Sequence, residues 1–246
     1  LLEFKFKNFK TFQKETLFSM TPANKIKDIE YSVLKTKIGK KEYKVTTDSI
    51  VLNHYPDKEK SRSSYLPLLE LSVKEDPEDD RNMHYLGREY MYHQKYNEAI
   101  DTLIRHLSLK RATWKDERAA SMRFIARCYT ELKRYKEAKM WYQEAINEAP
   151  YLRDAYVELA ILESTLSEYE ESKNHCLKAL EIKTHPKTYI NEQFSFDHTI
   201  YDLLSISYYY LKDYPKSLEY INKALLVSPD NKRLQDNKII IEKAIQ

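Results

Sequence analysis

Four stretches of the chain carry one pattern of large, small and aromatic residues in a common register, which limits the fold more than any other feature. The first runs Met83, Leu86, Gly87 and Tyr90, then Tyr96, Glu98 and Ala99, then Leu103 and Leu107. The second runs Met122, Ile125, Ala126 and Tyr129, then Tyr135, Glu137 and Ala138, then Tyr142, Ala145 and Pro150. The third has Tyr156, Leu159 and Ala160, then Tyr169, Glu171 and Ser172, then Cys176 and Ala179. The fourth has Tyr201, Leu204, Ser205 and Tyr208, then Tyr214, Lys216 and Ser217, then Ile221, Ala224 and Pro229. The spacing inside each stretch is helical, and each stretch makes two helices, A and B. Small residues at Gly87, Ala126, Ala160 and Ser205, and at Ala99, Ala138, Ser172 and Ser217, let the two helices approach closely. Large residues fill the space between pairs, each worth roughly 1.5–3 kcal/mol when buried. One pair cannot bury its own face, so stability comes from stacking.

This pattern resembles the tetratricopeptide repeat over about 150 residues. The resemblance implies a mainly α fold, a helical-repeat solenoid. The expected order is a flanking helix over 63–74 with Leu66, Leu69 and Leu71 on its apolar stripe, four pairs over about 81–228, and a capping helix over 231–244. That cap carries Leu234, Ile239, Ile240 and Ile241, with Asp230 as its N-cap. Asp79 and Asp80 precede a helix, where carboxylates complement the N-terminus. The repeat spacing is uneven: Ala99 to Ala138 is 39 residues, Ala138 to Ser172 is 34, and Ser172 to Ser217 is 45. Short and long insertions are therefore expected around 110–115 and 184–198. The second is polar and aromatic, and loops of that length are often functional, with a plain connector as the alternative.

The first 55 residues follow a different period. Leu2, Phe4 and Phe6 alternate with Glu3, Lys5 and Lys7, which is strand spacing, and a small β-containing segment is expected. Its opening, residues 2–12, resembles the first strand of AAA-type or SMC-like ATPases. A phosphate loop should follow there, yet Gly39 and Gly87 are the only glycines, so no GxxxxGK[ST] exists. From about Thr47 onward the chain resembles the helical C-terminal extension of bacterial family-2 glycosyltransferases. The residues that carry this are His54-Tyr55-Pro56-Asp57, Tyr85-Leu86-Gly87-Arg88-Glu89-Tyr90, the run from Trp114 through Glu117-Arg118-Ala119-Ala120-Ser121-Met122-Arg123, and Tyr201-Asp202-Leu203-Leu204. In that family a preceding domain binds a nucleotide sugar through an Asp-x-Asp metal motif, and this chain contains no Asp-x-Asp. The two resemblances suggest a junction near 45–48.

Charge and cysteine usage narrow the partners. Residues 1–60 hold 13 Lys against 8 acidic residues, a balance of +5; the whole chain is +3, leaving −2 for the rest. Lys5, Lys7 and Lys10 read as a solvated strand face, so no nucleic acid is expected. Cys128 and Cys176 are the only cysteines and fall on packing positions, as two buried reduced thiols. No apolar run approaches a membrane span, and a cytoplasmic location is expected.

In this repeat class the A helices line a concave groove. The groove positions are His84, Arg88 and Tyr92, then Arg123, Arg127 and Glu131, with Val157 and Ile161, and finally Asp202, Ile206 and Tyr209. The first two repeats thus offer Arg forks for a carboxylate, a phosphate or an acidic peptide. The alternative is that these arginines pair with Glu89, Glu117 or Glu163. Lys and Asn, which the carboxylate-clamp repeats use at these slots, are missing. The seven histidines form no HxxxH or HExxH pair, so no metal, cofactor or catalytic residue is expected.

Three readings follow. The first is a non-catalytic scaffold for a protein or peptide, or for a second copy of itself, as the accessory arm of a glycosyltransferase. The second is part of a family-2 glycosyltransferase acting on a protein or cell-surface glycan. The third is an ATPase fragment without its phosphate loop.

Overall fold

The computed structural model describes residues 65–186 and 188–246. The expected β segment, the ATPase-like opening and His54 lie outside the described residues. Within them the fold is a helical solenoid of the tetratricopeptide type, with ten helices and no strand. The helices are α1 (Tyr65–Glu75), α2 (Asp80–Tyr92), α3 (Tyr96–Ser108), α4 (Lys115–Glu131), α5 (Tyr135–Glu148), α6 (Arg153–Thr165), α7 (Tyr169–Glu181), α8 (Thr199–Tyr210), α9 (Tyr214–Val227) and α10 (Lys232–Ile245). α2 pairs with α3, α4 with α5, α6 with α7 and α8 with α9, while α1 packs on α2 and α10 on α9. The A helices α2, α4, α6 and α8 also touch one another in sequence, so they form one continuous face.

The small residues sit where helices cross. Ala99, Ala126, Ala138 and Ala160 are fully buried, and so are Ser172, Ser205 and Ser217. Serine is tolerated there because each hydroxyl finds a carbonyl. Ser172 Oγ donates to the Ala160 carbonyl at 2.8 Å, and Ser217 Oγ to the Ser205 carbonyl at 2.8 Å. Ser205 Oγ returns the bond to the Ser217 carbonyl at 3.0 Å.

Every A-to-B turn is built the same way. Gln94, Lys133, Ser167 and Lys212 have φ of 60°, 60°, 62° and 65°. The amide that follows each one reaches back to a helix carbonyl: Lys95 to Tyr90 at 2.9 Å, Arg134 to Tyr129 at 2.8 Å, Glu168 to Glu163 at 2.8 Å, and Asp213 to Tyr208 at 2.9 Å. This is a Schellman cap repeated four times, with side-chain-bearing residues where glycine is usual.

The end helices differ from expectation in detail. Leu66, Leu69 and Val73 are buried on α1, whereas Leu71 is 51 % exposed. Positions three and seven residues past Leu66 share its face, and a position five past it turns away. On α10, Leu234 and Ile241 are buried for the same reason, and Ile239 and Ile240 face out. The N-cap of α10 is Asn231 rather than Asp230: Asn231 is extended and its Oδ1 accepts from the Leu234 amide at 3.3 Å. Asp79 caps α2, accepting from the Asn82 amide at 2.9 Å, and Asp80 lies in the first turn. Cys128 and Cys176 are free and fully buried, and burial raises the Cys128 thiol to about 12.

Candidate functional site

The long insertion between α7 and α8 folds back over the A-helix face of the first three repeats. It turns at Thr188–Asn191, where the Asn191 amide donates to the Thr188 carbonyl at 3.3 Å, and ends in a 3-10 turn, Gln193–Ser195. Tyr189 lies among Tyr85, Trp114 and His84, with ring centroids 5.8, 5.7 and 6.5 Å away. Its hydroxyl donates to Glu117. Ile190 is 4 % exposed and joins the cluster formed by Ala120, Phe124 and Ile125 of α4.

Charges secure the middle of this segment. Arg123 of α4 donates through Nη2 to the Ile190 carbonyl at 2.6 Å and through Nη1 to Glu158 of α6. Arg127, one turn further along α4, holds Glu158 with Nε at 2.8 Å and Nη2 at 2.7 Å. The same Nη2 reaches Glu192 of the insertion at 2.6 Å. Asp154 of α6 then accepts the Glu192 amide at 2.6 Å, Asn191 Nδ2 at 3.0 Å and Ser195 Oγ at 3.2 Å. Burial opposes the charge of Glu158, but Arg127 and Arg123 outweigh it and hold its carboxyl below the ordinary value. The network links α4, α6 and the insertion with three carboxylates against two guanidiniums; Asp154, 4.0 Å from Arg123 Nη1, is met at hydrogen-bond distance by neutral donors.

Arg123 and Arg127 therefore do hold carboxylates, but not Glu89, Glu117 or Glu163. Those three face histidines instead: Glu89 to His93 at 3.5 Å, Glu117 to His106 at 3.6 Å, and Glu163 to His175 at 2.8 Å. Of the remaining expected groove residues, His84 is fully buried, and burial lowers its imidazole to about 3. Arg88 is 8 % exposed, its guanidinium 4.9 Å from the centroid of the Tyr85 ring. Tyr92 is 49 % exposed, and Glu131 is exposed near the end of α4. A cavity of about 320 Å³ beside Arg127 is lined by Met91, Tyr96, Thr130, Glu131 and Tyr142. Val157 is buried beneath the face, Ile161 is 37 % exposed, and Ile206 is half-buried on α8. Asp202 and Tyr209 lie apart from this network. Arg233 of α10 grips Asp202 at 2.7 and 3.2 Å, and Tyr209 packs on Tyr210 and Tyr214.

Asp154, Glu158, Tyr189 and Glu192 were not apparent as site residues from sequence. The polar and aromatic composition of the insertion was the available signal.

Fold and face together define a helical-repeat solenoid of the tetratricopeptide type. The family model described as tetratricopeptide repeat matches residues 124–151, which span most of the second pair. No curated protein sequence matches the chain. Among solved structures, MamA is similar at 18 % identity and a TM-score of 0.54, covering 73 % of this chain and 99 % of its own. The C-terminal part of a TPR repeat-containing protein from Cytophaga hutchinsonii is similar at 16 % identity and a TM-score of 0.59, covering 74 % of this chain and 66 % of its own. YrrB, described as a TPR protein with an unusual peptide-binding site, is similar at 17 % identity and a TM-score of 0.52, covering 72 % of this chain and 82 % of its own. Among the described residues no helix is long and apolar enough to cross a membrane.

Proposed function

We propose that the chain is a non-catalytic scaffold that recognises a short acidic peptide of a partner protein on the A-helix face, with Arg123 and Arg127 as its anchors. The supporting observation is the insertion itself. A segment carrying Tyr189, Ile190 and then Glu192 already lies on this face, with its carboxylate on Arg127 and its backbone carbonyl on Arg123. A partner offering an aromatic ring, an aliphatic side chain and a carboxylate in that order competes for the same contacts. His84 and Arg88 support the face from beneath, and Tyr92 and Glu131 border it, while Asp202 and Tyr209 on α8 lie apart from the proposed contact. The peptide-binding site named for YrrB supports the reading by analogy of fold.

A peptide of residues 185–196, fluorescently labelled, tests this. An intramolecular segment competes at an effective concentration of ~1 mM, so the intact chain should bind the added peptide weakly. A variant with residues 186–196 replaced by a Gly/Ser linker should bind it at least tenfold more tightly, and Arg127→Ala in that background should abolish the gain. A folded linker variant that ignores the peptide defeats the proposal.

The finer reading is a cytoplasmic arm that brings a protein acceptor to a family-2 glycosyltransferase. It is supported by the resemblance at Tyr85–Tyr90, Trp114–Arg123 and Tyr201–Leu204. Co-purification of the chain with a transferase domain and transfer to an acceptor bound through Arg123 and Arg127 would support it. Transfer unchanged by loss of both arginines would count against it.

A further inference from the structure

Beneath Tyr189, three helices bring together a buried group of ligating side chains that the peptide reading does not use. Asp80 of α2, His106 of α3 and Glu117 of α4 each place one ligand atom within 4.8 Å of the other two. His106 and Glu117 are 0 % and 3 % exposed, while Asp80 is partly open to solvent. His106 Nε2 has no hydrogen-bond partner although it is wholly buried, and it faces Glu117 Oε1 at 3.6 Å. That separation is too long for a hydrogen bond. It is close to the ~3.4 Å between two ligands of one tetrahedral ion with bonds near 2.05 Å.

The surrounding hydrogen bonds prepare the imidazole for this. Ser121 Oγ lies 3.0 Å from His106 Nδ1 and 2.7 Å from His84 Nδ1. One hydroxyl carries one proton, so between two neutral imidazoles it donates to one and accepts from the other. When it donates to His84, His106 keeps its proton on Nδ1 and turns the Nε2 lone pair toward Glu117 and Asp80. A hydrogen-bonded second ring nitrogen is how proteins orient a metal-binding histidine. The Tyr189 hydroxyl occupies the other oxygen of Glu117, leaving Oε1 for an ion.

We propose that Asp80, His106 and Glu117 bind one divalent cation of the zinc class, with Ser121 as the residue that fixes the tautomer. One imidazole and two carboxylates suit zinc and its first-row neighbours better than a thiol-seeking metal. Asp80 supplies the third ligand by closing inward from the solvent edge, and a fourth position remains for water. Because the three ligands come from α2, α3 and α4, the ion ties the first two repeats together.

The test uses the full chain, freed of metal with a chelator and titrated with Zn²⁺ by calorimetry, then with Co²⁺ followed by visible absorption. One ion per chain is expected, with the absorption of a tetrahedral or five-coordinate Co²⁺ site. Asp80→Asn keeps the fold, since the residue is partly exposed, and should weaken binding at least tenfold; Ser121→Ala should weaken it by about 10–100-fold. Zinc binding that is absent from the folded wild-type chain overturns the proposal. So does binding that Asp80→Asn and Glu117→Gln both leave unchanged, which would place the ion elsewhere.

Discussion

A methyl group built on Gly87 would fall 2.5 Å from Cγ of Leu103, closer than any relaxed contact allows. Leu103 is fully buried and cannot swing aside. The equivalent pairs in the later repeats are Ala126 with Tyr142, Ala160 with Cys176 and Ser205 with Ile221, so each pair divides a fixed space differently. Gly87→Ala should gain about 1 kcal/mol of helix propensity and lose about 1–3 kcal/mol to overpacking. A net loss of about 0–2 kcal/mol is expected in urea unfolding. Adding Leu103→Cys, which copies the third repeat, should cost less than the two changes summed.

The four left-handed turn residues give a stabilising prediction. Lys212 at φ 65° and Gln94 at φ 60° hold conformations that cost a residue with a Cβ about 1 kcal/mol or more. Lys212→Gly and Gln94→Gly should each raise stability by up to about 1 kcal/mol, offset in part by added freedom in the unfolded chain. Thermal unfolding of the two single variants and the double checks this. The turns lie in different repeats, so their effects should add.

Asp154 is the anchor of the insertion. It is 1 % exposed and accepts three donors from residues 191–195. Asp154→Ala removes charge-assisted bonds worth about 1.5–3 kcal/mol each. Amide exchange over residues 188–196 should quicken by at least tenfold, while the amides of α8 and α9 keep their protection. Unchanged exchange in the insertion would mean that its apolar contacts alone hold it.

Stability should depend on acid through Glu158. Its folded carboxyl titrates below the ordinary value of about 4.3 because Arg127 and Arg123 outweigh its burial. The stabilisation is therefore complete above about pH 4.3 and is lost as pH falls through the folded value. Denaturation at pH 7, 5 and 3.5 should show a steep loss for the wild type below pH 4.3. Glu158→Gln should be less stable by about 3–5 kcal/mol at pH 7, with a flatter profile.

The repeats were readable from sequence because each slot is a local spacing. Gly87 lies one turn from Tyr90, and Tyr96 follows the turn that Gln94 makes, so one stretch of chain specifies both helices of a pair. The same periodicity misled at Leu71 and Ile239. Apolar character alone does not give rotation about the helix axis, and only packing on α2 or α9 decides which residues turn inward. The partners of Arg123 and Arg127 were less accessible still. Glu158 lies on α6, across from α4, and Glu192 lies 65 residues beyond Arg127.

The sequence by itself determined a stack of helix pairs, small residues at the crossings, and two arginines one turn apart on an A helix. These follow from helical period and side-chain size, which act over a few residues. Tertiary structure alone decided what those arginines hold, and that the insertion before α8 returns to cover repeats one to three. It also decided that Asp80, His106 and Glu117 meet. Long-range contacts of this kind depend on how successive pairs rotate and on where a loop finds buried partners for its polar groups, and no spacing along the chain encodes either.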